Sequence, residues 1–241
     1  MSAPYFRFQQ FIVRHDRSSM RVGTDGVLLG AWAKLDGALR ILDIGTGCGL
    51  IALMAAQRAT EAQITAVEID HESAMQASEN VADSPFADRI SIVEQDIRLL
   101  PGNAVFDHVL CNPPYHLETT LPPSVTRMRA RHTEALSFES LIGCAKRLLV
   151  PGGLFSVVLP ASATDGFVGL SLVSGLRLQR RCDVLTVPHR PPKRILLTLQ
   201  HPRAEGNEAS DNSLLHETLI LQDAQGGRSE EYQRLTRDFY L

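Results

Sequence analysis

The sequence predicts an α/β fold: a seven-stranded, mostly parallel sheet with an antiparallel hairpin at its edge and helices on both faces. Two observations carry this. Short apolar, β-rich runs alternate with stretches of helical periodicity, as they do when parallel strands are joined by crossover helices. The last two runs are separated only by residues 188–193. That Pro- and Arg/Lys-rich link is too short for a crossover helix, so it forces an antiparallel pair.

Residues 1–38 precede the first strand and contain Val22-Gly23-Thr24-Asp25-Gly26, which leads into an apolar helix-like run to Trp32. The candidate strands are 39–44, 64–68, 90–95, 106–111, 153–159, 176–187 and 194–200. Helices are expected at 49–59, 71–83 and 138–150, and another at 163–175. Residues 203–213 are polar and read as a loop, whereas Tyr232, Leu235 and Phe239 fall at helical spacing and predict a helix packed back on the domain. A chain of 241 residues can bury one large core, so the expectation is a single domain. Within it, 1–38 form an N-terminal extension, 39–200 the core and 201–241 a C-terminal strand and helix addition.

With 44% hydrophobic and 21% charged residues the composition is that of an ordinary globular protein, which excludes disordered and coiled-coil classes. No apolar run reaches the roughly 20 residues that span a bilayer, and the N-terminus lacks a secretory pattern, so the expected location is the cytosol, with no membrane partner. Cys48, Cys111, Cys144 and Cys182 are scattered without metal-ligand spacing and read as buried thiols, with neither metal nor disulfide framework. The formal net charge of −3 means that any nucleic-acid surface must be local.

Asp43-Ile44-Gly45-Thr46-Gly47-Cys48-Gly49 is a buried strand running through a glycine-rich turn into a helix. Glycines let the backbone turn tightly and approach a ligand, and the helix start offers free amides. The spacing is GxGxG, not the GxGxxG of dinucleotide sites, and Asp43 would repel a pyrophosphate. A carboxylate there suits the ammonium and sulfonium of S-adenosyl-L-methionine. Glu68 ends the next strand, where a carboxylate can grip ribose hydroxyls, and Asp96 follows the third, where it can accept from an adenine amine. Asp43, Gly45, Gly47, Gly49, Glu68, Asp96, the adjacent Ile97 and Asn112 are the candidate cofactor residues.

Asn112-Pro113-Pro114-Tyr115 follows the fourth strand and supplies the candidate catalytic residues. Two prolines stiffen the loop and remove two amide donors, leaving carbonyl acceptors. An amino group on an aromatic ring is a poor nucleophile because its lone pair is delocalised. Acceptance of its two hydrogens by the Asn112 side chain and the Pro113 carbonyl would aim that lone pair at a methyl donor, while Tyr115 stacks on the base. This chemistry needs no metal.

These two motifs resemble those of Rossmann-like class I methyltransferases acting on adenine N6, guanine N2 or glutamine amide nitrogen. A narrower likeness rests on Phe8-Gln9-Gln10-Phe11, His15-Asp16, the stretch from Val22 to Trp32 and the closing Phe239-Tyr240-Leu241. Together with the two motifs these resemble the bacterial tRNA1(Val) adenine-N6-methyltransferase family over nearly the whole chain. The resemblance implies methylation of the adenine on the 3′ side of the anticodon, adenine 37, with S-adenosyl-L-homocysteine as the second product. It also implies that Thr24 and Asp25 border the cofactor.

Basic residues cluster at Arg7, Arg14, His15, Arg17 and Arg21; at Arg127, Arg129, Arg131 and His132; and at His189, Arg190, Lys193 and Arg194. The last two clusters are the candidate tRNA contacts. No obligate protein partner is evident. Competing readings are a ribosomal RNA guanine-N2 enzyme, a release-factor glutamine enzyme, for whose usual N-terminal helical domain 1–38 leave no room, and a non-catalytic RNA- or cofactor-binding module. A nicotinamide dehydrogenase is disfavoured by the glycine spacing.

Overall fold

A computed structural model describes residues 3–114, 136–203 and 213–241. The chain opens with a two-stranded antiparallel ribbon, β1 (Tyr5–Arg7) and β2 (Ile12–Arg14), followed by helix α1 (Thr24–Trp32). Three strand-and-crossover units come next: β3 (Arg40–Ile44), α2 (Leu50–Arg58), β4 (Gln63–Glu68), α3 (His71–Ala82) and β5 (Ile90–Glu94), then a 3-10 turn at Ile97–Leu99. The second half holds β6 (Phe106–Cys111), α4 (Phe138–Leu148), β7 (Leu149–Pro160), α5 (Ala161–Val173), β8 (Arg177–Leu185) and β9 (Arg194–Gln200). It closes with β10 (Leu215–Ile220) and α6 (Glu230–Thr236).

Side-chain caps set several helix starts. Asp70 accepts from the Ser73 amide at 2.9 Å at the head of α3, Ser137 caps α4 and Ser229 caps α6, each satisfying an amide that the helix itself cannot. Helix α4 stops two residues short of the predicted end because β7 begins at Leu149.

The main sheet has strand order β10-β8-β9-β7-β6-β3-β4-β5. Strands β3 to β7 pair in parallel, and β9 is antiparallel to both β7 and β8. The sheet therefore has eight strands rather than the seven predicted. Strand β10 adds in parallel outside β8, so the β8–β9 hairpin is internal and β10 is the edge. Its sequence, Leu-His-Glu-Thr-Leu-Ile, alternates only weakly, and nothing within it marks a partner so far upstream. The N-terminal ribbon was likewise not anticipated. It is held by the other chain end: Gln9 donates its backbone N–H to the Phe239 carbonyl, and Phe8 stacks on Phe11 and Tyr240.

Chain order runs from β3 outward through β4 to β5, then returns to place β6 on the other side of β3. This reversal opens a crevice above the carboxyl ends of β3 and β6, where open α/β sheets bind ligands. Helices α1 and α2 cover one face and α4 and α5 the other.

Beneath that crevice a buried polar line crosses the sheet: His108 Nε2 lies 2.9 Å from Ser156 Oγ, which lies 2.8 Å from Thr198 Oγ1. Burial pushes the His108 imidazole down to about 4. An unfolded histidine takes up its proton near 6.5 while the folded one resists until about 4, so this group's stabilisation is complete above pH 6.5 and lost as pH falls through 4. A gap of that size corresponds to about 3 kcal/mol. Urea unfolding at pH 7 and pH 4 should therefore show a stability loss that is larger by about this amount in the wild type than in His108→Asn; parallel pH profiles would refute the assignment.

Candidate active site

Two adjoining cavities occupy the crevice. The larger, about 460 Å³, lies between the end of β4 and the 3-10 turn and is walled by Ile44, Val67, Ile69 and Ile97, with Glu68 and Asp96 at its polar side. The smaller, about 320 Å³, lies under the first turn of α1 and is bounded by Thr24, Asp25 and Arg194. Met20, Gly45, Gly47 and Asn112 line both, so the glycine turn and the end of β6 form the threshold between them.

The turn is built as the sequence suggests. Gly45, Gly47 and Gly49 have φ of 70°, 56° and 84°, which side-chain-bearing residues rarely adopt. A Cβ on Gly45 would meet no atom of the described residues within 4 Å, and Gly45 lines both cavities. Gly49, by contrast, closes against Ala77 of α3 at 3.4 Å and starts α2.

Asp43 lines neither cavity. It is fully buried beneath the turn, its Oδ2 accepting from the Thr46 hydroxyl at 2.6 Å, while Oδ1 has no hydrogen-bond partner among the described residues. Burial pushes its carboxyl up to about 7, the Thr46 hydrogen bond opposes this and the Glu68 charge adds to it. The direct ligand contact expected of Asp43 is not seen in the lining of either cavity; the carboxylate lies beneath the turn.

Glu68 does reach the larger cavity, though it is almost buried and serves the backbone: Oε2 accepts from the Gly47 amide at 2.8 Å, and Oε1 from the amides of Ile69 and Asp70 at 2.9 and 3.0 Å. With three bonds accepted, a carboxylate keeps room for one more. Asp96 is committed to Arg98, whose guanidinium grips both carboxylate oxygens and whose amide Asp96 also caps. That hydrogen-bonded pairing holds the Asp96 carboxyl below its usual range. Asp96 lines the larger cavity with Arg98 held against it.

Asn112 is half-buried on the threshold, Pro113 is buried and Pro114 exposed. Tyr115, Arg127, Arg129, Arg131 and His132 lie outside the described residues. In the third basic cluster, Arg194 turns inward: its Nε donates to Asp25 Oδ2 at 2.8 Å. His189, Arg190 and Lys193 remain on the β8–β9 connection. In the first basic cluster Arg7 is exposed and Arg21 lines the smaller cavity, while the other three residues are engaged structurally. Arg14 pairs with Asp83 and Arg17 with Glu79, and His15 is buried with its Nε2 3.1 Å from the Ala3 carbonyl.

Residues 14–20, of which the sequence singled out His15-Asp16 and the basic Arg14, His15 and Arg17 without giving them this role, form a strap over the glycine turn. Gln76 and Asn80 hold it from the buried face of α3. Gln76 accepts from the Arg17 and Ser18 amides at 3.2 and 2.9 Å, and donates to Asp16 at 2.7 Å. Asn80 accepts from the Arg14 amide and donates to the carbonyls of Arg14 and Cys48, tying strap and turn together. The signal was present in the sequence: two amides, four residues apart, sit on the stripe that packs inward with Ala74, Ala77 and Val81. Asn80→Ala should cost about 2–4 kcal/mol in urea unfolding, since each buried group stranded without a partner costs about 1–3 kcal/mol. A loss below about 1 kcal/mol would mean that water replaces the amide freely.

All four cysteines are buried. Among the described residues no helix is long and apolar enough to cross a membrane.

Residues 23–164 match the family model of the methyltransferase small domain. The fold is that of a crystal structure of a predicted O-methyltransferase, protein Atu636 of Agrobacterium tumefaciens. The TM-score is 0.69 at 23% identity, covering 89% of this chain and 96% of that one. Pyrococcus horikoshii TYW2, solved in complex with MeSAdo, is similar with a TM-score of 0.56 at 17% identity, covering 81% of this chain and 70% of that one. In sequence, the tRNA1(Val) (adenine(37)-N6)-methyltransferase of Phocaeicola vulgatus is 45% identical over 100% of this chain and 99% of its own length. That of Bacteroides fragilis is 43% identical with the same coverage. The Pectobacterium carotovorum protein of that name is 42% identical over 98% of this chain and 93% of its own. With this similarity running from end to end, the chain belongs to the tRNA1(Val) (adenine(37)-N6)-methyltransferase family.

Proposed function

We propose that this protein transfers a methyl group from S-adenosyl-L-methionine to the N6 amino group of adenine 37 in tRNA1(Val). The observation that carries the reading is Asn112-Pro113-Pro114 at the end of β6, with Asn112 on the threshold shared by both cavities and the two prolines lining the larger. Full-length similarity to enzymes named for that reaction supports it.

The residues present fit the cofactor. The larger, apolar-walled cavity suits an adenosine, and the remaining acceptor capacity of Glu68 suits a ribose hydroxyl. Gly45 offers a bare surface at the threshold, and the unpartnered buried oxygen of Asp43 places negative potential under it. Thr24 and Asp25 border the smaller cavity, so residues 1–38 contribute to the site and belong to the same catalytic domain as the core.

S-adenosyl-L-methionine supplies an electrophilic methyl on a sulfonium. The protein's part is to hold the nucleophile. The Asn112 amide oxygen and the Pro113 carbonyl each accept one amine hydrogen, which localises the nitrogen lone pair and sets its direction, and Tyr115 stacks on the flipped base. As nitrogen gains the methyl it gives up a proton to solvent along one of those hydrogen bonds. An anticodon-loop adenine is already single-stranded, so the cost of presenting it is small. His189, Arg190 and Lys193, and the basic residues from Arg127 to His132, are the tRNA phosphate contacts, and the reaction belongs to the cytosol.

The test is transfer of labelled methyl to tRNA from a strain lacking this gene, followed by nucleoside analysis. Label in N6-methyladenosine supports the reading. Label in a guanosine derivative, in protein, or in nothing would replace it with the ribosomal RNA enzyme, the release-factor enzyme or the non-catalytic module respectively.

A further inference from the structure

Arg180 on β8 and Glu217 on the edge strand β10 close around Trp32, the last residue of α1. The Arg180 guanidinium stands 4.0 Å from the Trp32 ring centroid, and its Nη1 donates to the Trp32 carbonyl at 3.0 Å. Its Nε and Nη2 donate to the two carboxylate oxygens of Glu217 at 2.8 and 3.1 Å, and that carboxylate also accepts from the Trp32 indole N–H at 3.0 Å. Both charged side chains are mostly buried, where a bidentate pair is stronger than in open solvent. Arg58 Nη1 takes the neighbouring carbonyls of Gly30 and Ala33 at 2.9 and 2.7 Å. The end of α1, whose carbonyls have no partner within the helix, is thus fixed by two arginines.

The other end of this nine-residue helix is about 13 Å away. There Thr24, Asp25 and Gly26 line the smaller cavity together with Leu50 and Ile51 from the first turn of α2. The two helices approach through the glycines of α1: a Cβ on Gly26 would stand 3.0 Å from Leu50, and one on Gly30 2.7 Å from Met54. A glycine offers no ridge to key into the grooves of the facing helix, so these contacts resist sliding of α1 along α2 poorly. Its axial position is set at its ends, by Asp25 with Arg194 at the first turn and by the Trp32 cluster at the last. A helix is stiff along its axis, so a shift at Trp32 reaches Thr24 and changes the shape of the cavity.

We propose that Arg180 and Glu217 are positioning residues for the cofactor site, a clamp on Trp32 that presets the first turn of α1 from the far end of the helix. The assignment rests on the cofactor reading above, although neither residue lines either cavity. It gives β10, the strand beyond the hairpin, a part in the reaction. By linkage the effect is reciprocal: a clamp that favours cofactor binding must itself be favoured by bound cofactor.

Trp32 is the only tryptophan in the chain, so its fluorescence reads the clamp directly. Glu217→Gln removes the charge and keeps the shape. It should weaken calorimetric binding of S-adenosyl-L-homocysteine by about 5- to 10-fold, the lower end of coupling between separated sites. Its Trp32 emission should lie to the red of the wild type, and saturating S-adenosyl-L-homocysteine should return it towards the wild-type position. The wild type, already clamped, should not shift. Trp32→Phe keeps a ring beneath Arg180 and gives up the indole N–H bond; it should weaken binding less, and it carries the calorimetric arm should Glu217→Gln fail to fold. Unchanged affinity in the folded variant, or an emission of Glu217→Gln that ignores the ligand, would mean that the cluster serves stability alone. Either result overturns the proposal and leaves the cofactor reading intact, whereas a wild type that does not bind S-adenosyl-L-homocysteine removes both.

Discussion

Asn112→Ala is expected to lower kcat by about 100- to 1,000-fold, the usual cost of removing one polar group that acts on the transition state. Affinity for S-adenosyl-L-homocysteine should change by less than about tenfold, because the cavities that surround Asn112 are closed mainly by other residues. The physical reason is the division of labour on the threshold. The Asn112 amide oxygen holds a substrate hydrogen, and its contribution grows as the amine turns pyramidal. Glycine backbone, Glu68 and the apolar walls hold the cofactor in both ground and transition states. Single-turnover kinetics with saturating tRNA, beside calorimetric cofactor binding, separates the two. Loss of cofactor binding with an unchanged single-turnover rate would reverse the roles given to Asn112.

Asp43→Asn should give effects of opposite sign on stability and on cofactor binding. The wild-type carboxyl is pushed up to about 7 by burial, against an unfolded value near 3.8. A group raised in this way favours the fold fully below pH 3.8, and that advantage is lost as pH rises through 7. At pH 8 the folded protein therefore carries a buried charge costing up to about 4 kcal/mol. Asparagine can still accept from Thr46 and is neutral at every pH, so the variant should be more stable than wild type at pH 8 and gain nothing below pH 4. The same charge attracts a sulfonium, and S-adenosyl-L-methionine should bind the wild type more tightly as pH rises from 6 to 8. In the variant that pH dependence should vanish, and preference for S-adenosyl-L-methionine over the uncharged thioether of S-adenosyl-L-homocysteine should fall. Thermal unfolding across pH, with and without each ligand, reads both effects. An unchanged preference between the two ligands would show that Asp43 matters only to the turn.

The parallel half of the sheet was legible because each strand is a short apolar run followed by punctuation that physics restricts. Gly45 to Gly49 and Asn112 to Pro114 could be placed at strand ends from sequence alone, and the reversal of strand order then brings those ends together. Glu68 was found as a cavity residue, while its backbone work was not: it also holds the amides of Ile69 and Asp70 and that of Gly47, which meets it only once β3 and β4 lie side by side. Asp96 lines the same cavity, and its pairing with Arg98, only two residues away, was not read from the sequence. The charge clusters were the least reliable signal. Pairing of Arg14 with Asp83 and Arg17 with Glu79 depends on α3 lying beside the strap, which no local pattern encodes.

By itself the sequence determined the fold class, the helix and strand order from α1 through β9, and the two loops on which the chemistry is proposed to rest, because those are set by periodicity, by glycine conformations and by proline stiffness acting over a few residues. Only the tertiary structure decided that β10 covers the hairpin, that the first 20 residues strap the glycine turn through Gln76 and Asn80, and that Arg194 faces Asp25 instead of solvent. Each of these is a contact between segments distant in the chain, fixed by which buried donors and charges find partners once the sheet has closed, and that matching exists only in three dimensions.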